Sequence, residues 1–376
     1  MKRFLIQADE SNPRGKYAVG FIDHTGQVVI APSFDAGQPF SDGRAAVRVD
    51  SKWGFIDETG KLVIEPKWQE VGAFSSGLAS IVVAKREIAP EYREIQQCGY
   101  IDCAGDIRIE PTWVHSCGAF HEGRARIAPY DEKLGVDSKQ WHFMDTSGAR
   151  AFEGTFTHPG TDFHEGYALV PVSPEPTPMR MRLIDTRGRT VEPAAGWTPF
   201  GPFGNGVAPV AKVTEIASRP LTETGFIDVA GKLLFRVPGQ VGEFRDERAI
   251  VRAADGTFGY VDVTGRVLTR GLREAEQFVD GFAFAVTAQG DAVILDIGAR
   301  VLRKRERNEI RASGGLLYVR FYNRSISGGG PPPIMGYKNL AGKYVYLSQG
   351  IVEQKGEAWV RENYVGPASQ SPLKTP

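Results

Sequence analysis

The chain has 376 residues, 41% of them hydrophobic, with 45 Lys plus Arg balanced by 45 Asp plus Glu. That is enough apolar matter for a buried core, and the balance gives no sign of nucleic acid or an acidic membrane as a partner. The 44 Gly and 24 Pro favour many short strands and turns over long helices, and three cysteines, an odd number, do not make a disulfide framework.

The first apolar run, Phe4-Leu5-Ile6, is too short for a signal-peptide core and is soon followed by Asp9 and Glu10. No later window reaches the length of a membrane span. A soluble, cytoplasmic chain is expected, with residues 1–14 as an N-terminal lead-in strand.

Beyond that strand the sequence repeats. Gly20-Phe21-Ile22-Asp23-His24-Thr25-Gly26 returns as Gly54-Phe55-Ile56-Asp57-Glu58-Thr59-Gly60, and again around Asp102, Asp228 and Asp262. Weaker copies are centred on Asp145, Asp185, Asp296 and Asn339, giving nine in all. A second motif comes after each one: Phe40-Ser41-Asp42-Gly43-Arg44-Ala45-Ala46-Val47 recurs at 74–81, 120–127, 163–170, 203–210, 244–251 and 278–285. Degenerate forms lie near Leu317 and Ala358.

A unit reading W-G-F-I-D-x-x-G-K, then V-I-x-P, then F-x-x-G-x-A-x-V resembles the WG, or KWG, repeat family of bacterial β-repeat proteins. Residues 53–82 form a nearly complete copy, and the resemblance spans about residues 15–361. It implies an all-β repeat scaffold, mostly without assigned activity. The namesake Trp stands only at Trp53 and Trp141; Val19, Cys98, Thr224 and Phe258 occupy its column elsewhere. It is therefore no obligatory chemical group here.

Within a unit, the strand ending at Asp57 and the run Leu62-Val63-Ile64 read as a hairpin. Asp suits the first turn position, where its carboxylate accepts a nearby backbone N–H, and Gly suits the left-handed residue at the end. A third strand comes after the second motif. Its column Ala45, Ala79, Ala125, Ala168, Ala208, Ala249, Ala283 and the β-branched column two residues on share one face, expected to pack between units. The intervening positions vary freely, so that face is expected to be solvated or used. Its aromatic and Arg members, Tyr167, Arg248, Phe282, Phe284, Tyr318 and Trp359, have the composition of contact surfaces and are the candidate partner-binding residues.

The distance from each turn Asp to the Gly before the third strand stays near 20, whereas from that Gly to the next Asp it runs from 14 (43 to 57) to 25 (77 to 102). Insertions at 85–97, 129–140, 171–180, 212–223 and 321–334 are thus expected to be loops on one side of the array. Residues 171–178 (PVSPEPTP) read as stiff and extended, 325–336 (SISGGGPPPIMG) as flexible then stiff, and Arg303-Lys304-Arg305-Glu306-Arg307 as a solvated basic turn. The tail 366–376 is expected to be disordered.

Cys98, Cys103, His115, Cys117 and His121 have zinc-ligand chemistry but no paired C-x-x-C spacing. They occupy different structural columns, so no metal and no cofactor is expected. The turn acids lack the dense ligation of calcium loops, and no nucleophile-elbow, phosphate-loop or zinc-protease motif occurs. His121-Glu122 and His164-Glu165 read as turn residues.

The sequence therefore predicts an all-β array over residues 15–365, of nine units of about three antiparallel strands. An open or curved superhelical stack is the first choice, and a closed propeller the runner-up because its blades usually have four strands. Function points to a non-enzymatic scaffold with a protein partner; sequestering a toxin as an immunity protein does is one version. Small-molecule or carbohydrate binding between repeats, and a metal-dependent enzyme centred on repeat three, are the alternatives. The oligomeric state is left open.

Overall fold

The computed structural model describes residues 2–11, 17–88, 93–133, 140–172, 180–216, 219–321, 334–347 and 355–371. The chain divides into two compact units, one of Met1–Phe74, Cys103–Gly105 and Arg305–Pro376, the other of Ser75–Asp102 and Asp106–Lys304. Among the described residues it forms eight antiparallel sheets, and no helix is long and apolar enough to cross a membrane.

The second sheet shows the design. Its order is Ala36–Gly37, Ala45–Val49, Lys52–Ile56, Leu62–Trp68. The third strand of one sequence repeat pairs with the first strand of the next, as Ala45↔Ile56 and Val47↔Gly54. Sheets therefore straddle the repeat boundary, and a unit of three visible strands becomes a sheet of four. The extra strand is two residues long (Ala36–Gly37, Thr198–Pro199, Gln240–Val241, Glu274–Ala275), too short to carry a period of two. Four-stranded antiparallel sheets of this kind are the blades of propellers, the runner-up architecture.

Two expectations are corrected. The open stack fails within the first unit, where the chain's first and last sheets pack on each other: Phe4, Ile6 and Ile22 share a core with Leu316, Tyr337, Val345 and Tyr346, and the Tyr337 hydroxyl donates to Leu5 O at 2.6 Å. The ends of an open array would be free. The nine repeats give eight sheets because Ile107–His121, within the third repeat, ends one set of strands and begins the next, joining both into a six-stranded sheet. It pairs with Arg93–Asp102 by its first half and with Arg124–Pro129 by its second.

In the second unit, insertions expected as loops extend strands instead. Leu78–Ile88 pairs with Arg93–Asp102 out to Ile88↔Arg93, and Val207–Ile216 with Arg219–Asp228 out to Ile216↔Arg219. These insertions join paired neighbours, so added residues lengthen a hairpin. Residues 134–139, 173–179 and 322–333 of the other insertions, and 372–376 of the tail, lie outside the described residues.

In the first unit, Phe4–Ser11 pairs with Tyr17–Ile22. The ninth third strand is absent among the described residues. Ala358 and Trp359 lie in the helix Glu357–Asn363, whose residues are mostly good helix formers, with a Glu357–Arg361 pair at i,i+4 spacing. Val360 is fully buried with Val319, Tyr344 and Leu347. Residues 368–370 form a 3-10 turn, and the Tyr364 hydroxyl donates to Pro367 O.

Three recurrent packing devices hold the sheets. Ala45, Ala125, Ala168, Ala208, Ala249 and Ala283 are fully buried, as the small column predicts. The aromatic before each turn Asp meets the Phe opening the second motif edge to face: Phe55–Phe74 at 4.7 Å, Tyr100–Phe120 at 5.0 Å, Phe226–Phe244 at 4.7 Å and Tyr260–Phe278 at 4.9 Å, worth about 0.5–1.5 kcal/mol each beyond burial. The Gly of the W-G pair faces a bulged outer strand. From Trp53↔Trp68 to Phe55↔Ile64 the outer strand has two residues more than its partner, and a Cβ on Gly54 would lie 2.4 Å from Ile64 O and 2.7 Å from Pro66 N.

Candidate interaction surface

The turn acids are structural. Asp57 Oδ1 accepts from Thr59 N (2.9 Å), Thr59 Oγ1 (2.6 Å) and Lys61 N (3.1 Å). Main-chain donors two and four residues on reach the same oxygen in Asp145, Asp185, Asp228, Asp262 and Asp296. The Thr59 and Ser147 hydroxyls, with the backbone donors, hold the Asp57 and Asp145 carboxyls below the usual carboxylate range. In Asp23, Asp185 and Asp262 partial burial pushes upward but these donors prevail, so the direction is the same.

The second-motif turns form a chain through the second unit. Glu122 Oε2 accepts from Gly166 N at 2.7 Å, Glu165 from Asn205 N and Gly206 N at 2.6 and 2.7 Å, Asn205 Oδ1 from Glu247 N at 2.8 Å, and Asp246 Oδ2 from Gly281 N at 2.7 Å. Each of these side chains springs from a left-handed residue, φ 51° at Glu122, 52° at Glu165, 54° at Asn205 and 47° at Asp246. That conformation is unfavourable for Glu, and the hydrogen bond to the next repeat offsets it. The turn reading of His121-Glu122 and His164-Glu165 holds, with a stitching role the sequence did not disclose.

The six candidate residues are drawn into packing. Phe282 and Phe284 are 0% and 2% exposed, which corrects the expectation of a free face. Middle strands of these sheets are covered on both sides, whereas the sequence reading assumed one packed face. Arg248 donates to Ile297 O at 2.8 Å and Glu247 O at 2.9 Å. Tyr167 packs on Phe203 at 4.5 Å, Tyr318 on Tyr337 at 5.5 Å, and Trp359, on the helix, against Tyr344 at 5.4 Å.

The reading of repeat three is also corrected. Cys98 and Cys117 are joined in a disulfide, Cα–Cα 6.6 Å, which removes both from any zinc set. Their spacing of 19 carried no such signal, because the pairing depends on how Arg93–Asp102 lies beside Ile107–His121. Cys103 is exposed, the His115 ring meets Tyr130, and His121 Nε2 is 3.6 Å from Asp162 Oδ2. Among the described residues no group of three or more His, Cys, Asp or Glu is placed to hold a metal.

Two of several hollows in the second unit bear on binding. One, of about 480 Å³, is lined by Asp162, His164, Glu165, Glu243, Arg245 and Asp246 among others. Its acids are engaged: Asp162 with Arg126 at 2.7 Å, Glu243 with Arg245 at 3.5 Å, and Glu165 and Asp246 in the turn chain. The other, of about 420 Å³, is an apolar groove with Val237, Pro238, Val251, Phe258, Tyr260 and Val267 in its walls.

Exposed apolar side chains also stand outside these hollows. Ile297, Val301 and Leu302 are 42%, 57% and 47% exposed, on and beside the outer strand Val301–Lys304. The signal for this region was present but unread: Val293 stands where most strong copies have Gly, and Arg305 where Pro32, Pro66 and Pro111 stand.

Repeated four-stranded sheets bound by turn stitches define a β-repeat scaffold of the propeller class. Residues 20–53 and 53–84 match the family described as WG containing repeat. No curated protein matches the chain. Among solved structures it is similar in fold to a eukaryotic initiation factor, at 11% identity and TM-score 0.54 over 92% of this chain and 96% of that one. BamB from Moraxella catarrhalis aligns at 13% identity and TM-score 0.38 over 75% and 92%, and Kluyveromyces lactis Hsv2 at 9% and 0.28 over 75% and 91%.

Proposed function

We propose that the protein is a non-enzymatic scaffold that binds another protein. The observation supporting this is the grouping of exposed Ile297, Val301 and Leu302 on and beside one outer strand, while the recurrent polar groups are spent on holding repeats together. Exposed apolar side chains gathered on one short segment are a feature of interaction sites. Sequestration of a bacterial toxin, in the manner of an immunity protein, is one form such binding would take, and it suits a cytoplasmic protein. The test is capture of a partner from host extract by the tagged full chain, then titration calorimetry with the purified partner. Saturable one-to-one binding supports the scaffold. A chain that takes up only a small molecule contradicts it and favours the second reading, a small-molecule or carbohydrate ligand in the groove of Val237, Phe258 and Tyr260.

A further inference from the structure

The outer strands of three consecutive repeats share a pattern that the others lack. Leu233–Val237, Val267–Leu272 and Val301–Lys304 each end a sheet. The stretches four to eight residues past each turn Asp read Lys232-Leu233-Leu234-Phe235-Arg236, Arg266-Val267-Leu268-Thr269-Arg270 and Arg300-Val301-Leu302-Arg303-Lys304. A basic residue stands at each end, two apolar residues follow the first, and no acid occurs. In repeats two, three and four the last position is Glu65, Glu110 and Glu153 instead.

These stretches also hold most of the apolar surface. Leu234, Val267, Val301 and Leu302 are exposed, and the turns beside them add Val229 and Ile297. Among the described residues eleven large apolar side chains are exposed, so six of them stand on three neighbouring hairpins. Ile107, the exposed member of the same column in repeat three, has Asp106 and Glu110 near it. The three hairpins adjoin. A Cβ on Gly265 would come 2.9 Å from the Phe235 ring, so the turn of repeat seven sits on the outer strand of repeat six. Ala299, at the same turn position one repeat on, shares a core with Leu268, so the turn of repeat eight sits on the outer strand of repeat seven.

Half of the end cations are engaged locally: Arg236 with Glu223 at 3.0 Å, Arg266 with Asp262 at 3.0 Å and Lys304 with Asp291 at 2.8 Å. Lys232, Arg270 and Arg300 are exposed and, among the described residues, have no ion pair. Each repeat therefore offers one uncommitted cation and an exposed apolar side chain on the same stretch: Lys232 with Leu234, Arg270 with Val267, Arg300 with Val301.

We propose that this band across repeats six to eight is the surface that holds the partner, and that the partner is a protein presenting carboxylates among apolar side chains. The proposal rests on the protein-binding reading. The partner's carboxylates meet Lys232, Arg270 and Arg300, and its apolar side chains cover Leu234, Val267, Val301 and Leu302. An anionic membrane is disfavoured. A lipid surface reads summed charge, and here the paired acids and the turn residues Asp228 and Asp296 cancel much of it. A protein face instead matches charges position by position.

The test is methyl NMR on the full chain labelled at Ile, Leu and Val. The probes are a random copolymer of glutamate and leucine, one of lysine and leucine, and vesicles of phosphatidylserine with phosphatidylcholine. The glutamate copolymer is expected to shift the methyl signals of Leu234, Val267, Val301 and Leu302, to leave those of Val28, Leu62 and Ile107 in place, and to bind more weakly as salt is raised. Lys232→Glu, Arg270→Glu and Arg300→Glu together change only exposed side chains. They should weaken binding of that copolymer about tenfold or more and shift the preference to the lysine copolymer. Lys61→Glu, in the Lys232 column of repeat two, should change nothing. No shift with the glutamate copolymer, shifts spread over the other repeats, unaltered affinity in the triple variant, or vesicles shifting the same methyls more strongly would each overturn the proposal. A captured, purified partner that binds the triple variant as tightly as the original would end this surface and leave the scaffold reading standing. A partner weakened about tenfold by the triple variant and unaffected by Lys61→Glu would support it.

Discussion

The sheet of Lys52–Ile56 and the sheet of Ala292–Asp296 are built from the same repeat and finish differently. In the first, Gly54 lets the outer strand bulge across it, with Pro66 in the bulge. In the second, Val293 fills the glycine position, is 3% exposed, and faces the outer strand at Lys304. Glycine, bulge and proline go together because a Cβ at position 54 would collide with the backbone of the bulged strand. Where the glycine is lost, the outer strand keeps only a smaller bulge, one extra residue between Ile294↔Arg303 and Leu295↔Val301. The glycine and proline of the motif thus act as one packing device.

The largest expected effect comes from forcing one sheet toward the other. Gly54→Val should destabilise by at least the ~1–3 kcal/mol of an overpacked site, since its Cβ meets main chain rather than a side chain. Val293→Ala should cost only about 1.5 kcal/mol, for two buried methyl groups at about 0.8 each. Urea titration of both variants checks this, and equal losses would break the comparison. Ala249→Leu touches a column common to both kinds of sheet and should cost ~1–3 kcal/mol by the same titration, with little dependence on the outer strand. Asp262→Ala removes the acceptor of two main-chain donors and a hydroxyl and should cost about 1–2 kcal/mol.

The smallest effect is on pH dependence. The folded carboxyls of Asp23, Asp57, Asp145, Asp185 and Asp262 lie below the usual value. Their contribution is therefore fully present above the unfolded value of about 3.9 and is lost as pH falls below it toward the folded values. Stability measured from pH 7 downward should hold to about 5 and decline below about 4, with a shallower decline in Asp262→Asn.

Much of the fold was legible in the sequence. The Asp and Gly of each turn, the period, and the buried Ala and β-branched columns are local patterns, and local patterns survive in the fold. The two-residue strands were not legible, because two residues carry no period, and without them the sheets look three-stranded and the repeat boundary looks like a sheet boundary. Phe282 and Phe284 were misplaced for that reason: on a one-sided sheet they would be exposed, and on a strand covered on both faces they are core. The Cys98–Cys117 bond and the Glu165 stitch to Asn205 join separate segments and had no local trace. The departure of the Ala292–Asp296 sheet from the common pattern could have been read, since Val293 and Arg305 stand in the glycine and proline columns.

Amide hydrogen exchange on the free full chain tests the difference between a covered and an uncovered outer strand most directly. The outward amides of Val301–Lys304 should exchange as fast as surface loops, while those of Tyr344–Leu347, covered by Tyr364 and Val365, should be strongly protected. Protection of 301–304 matching that of 344–347 would contradict it.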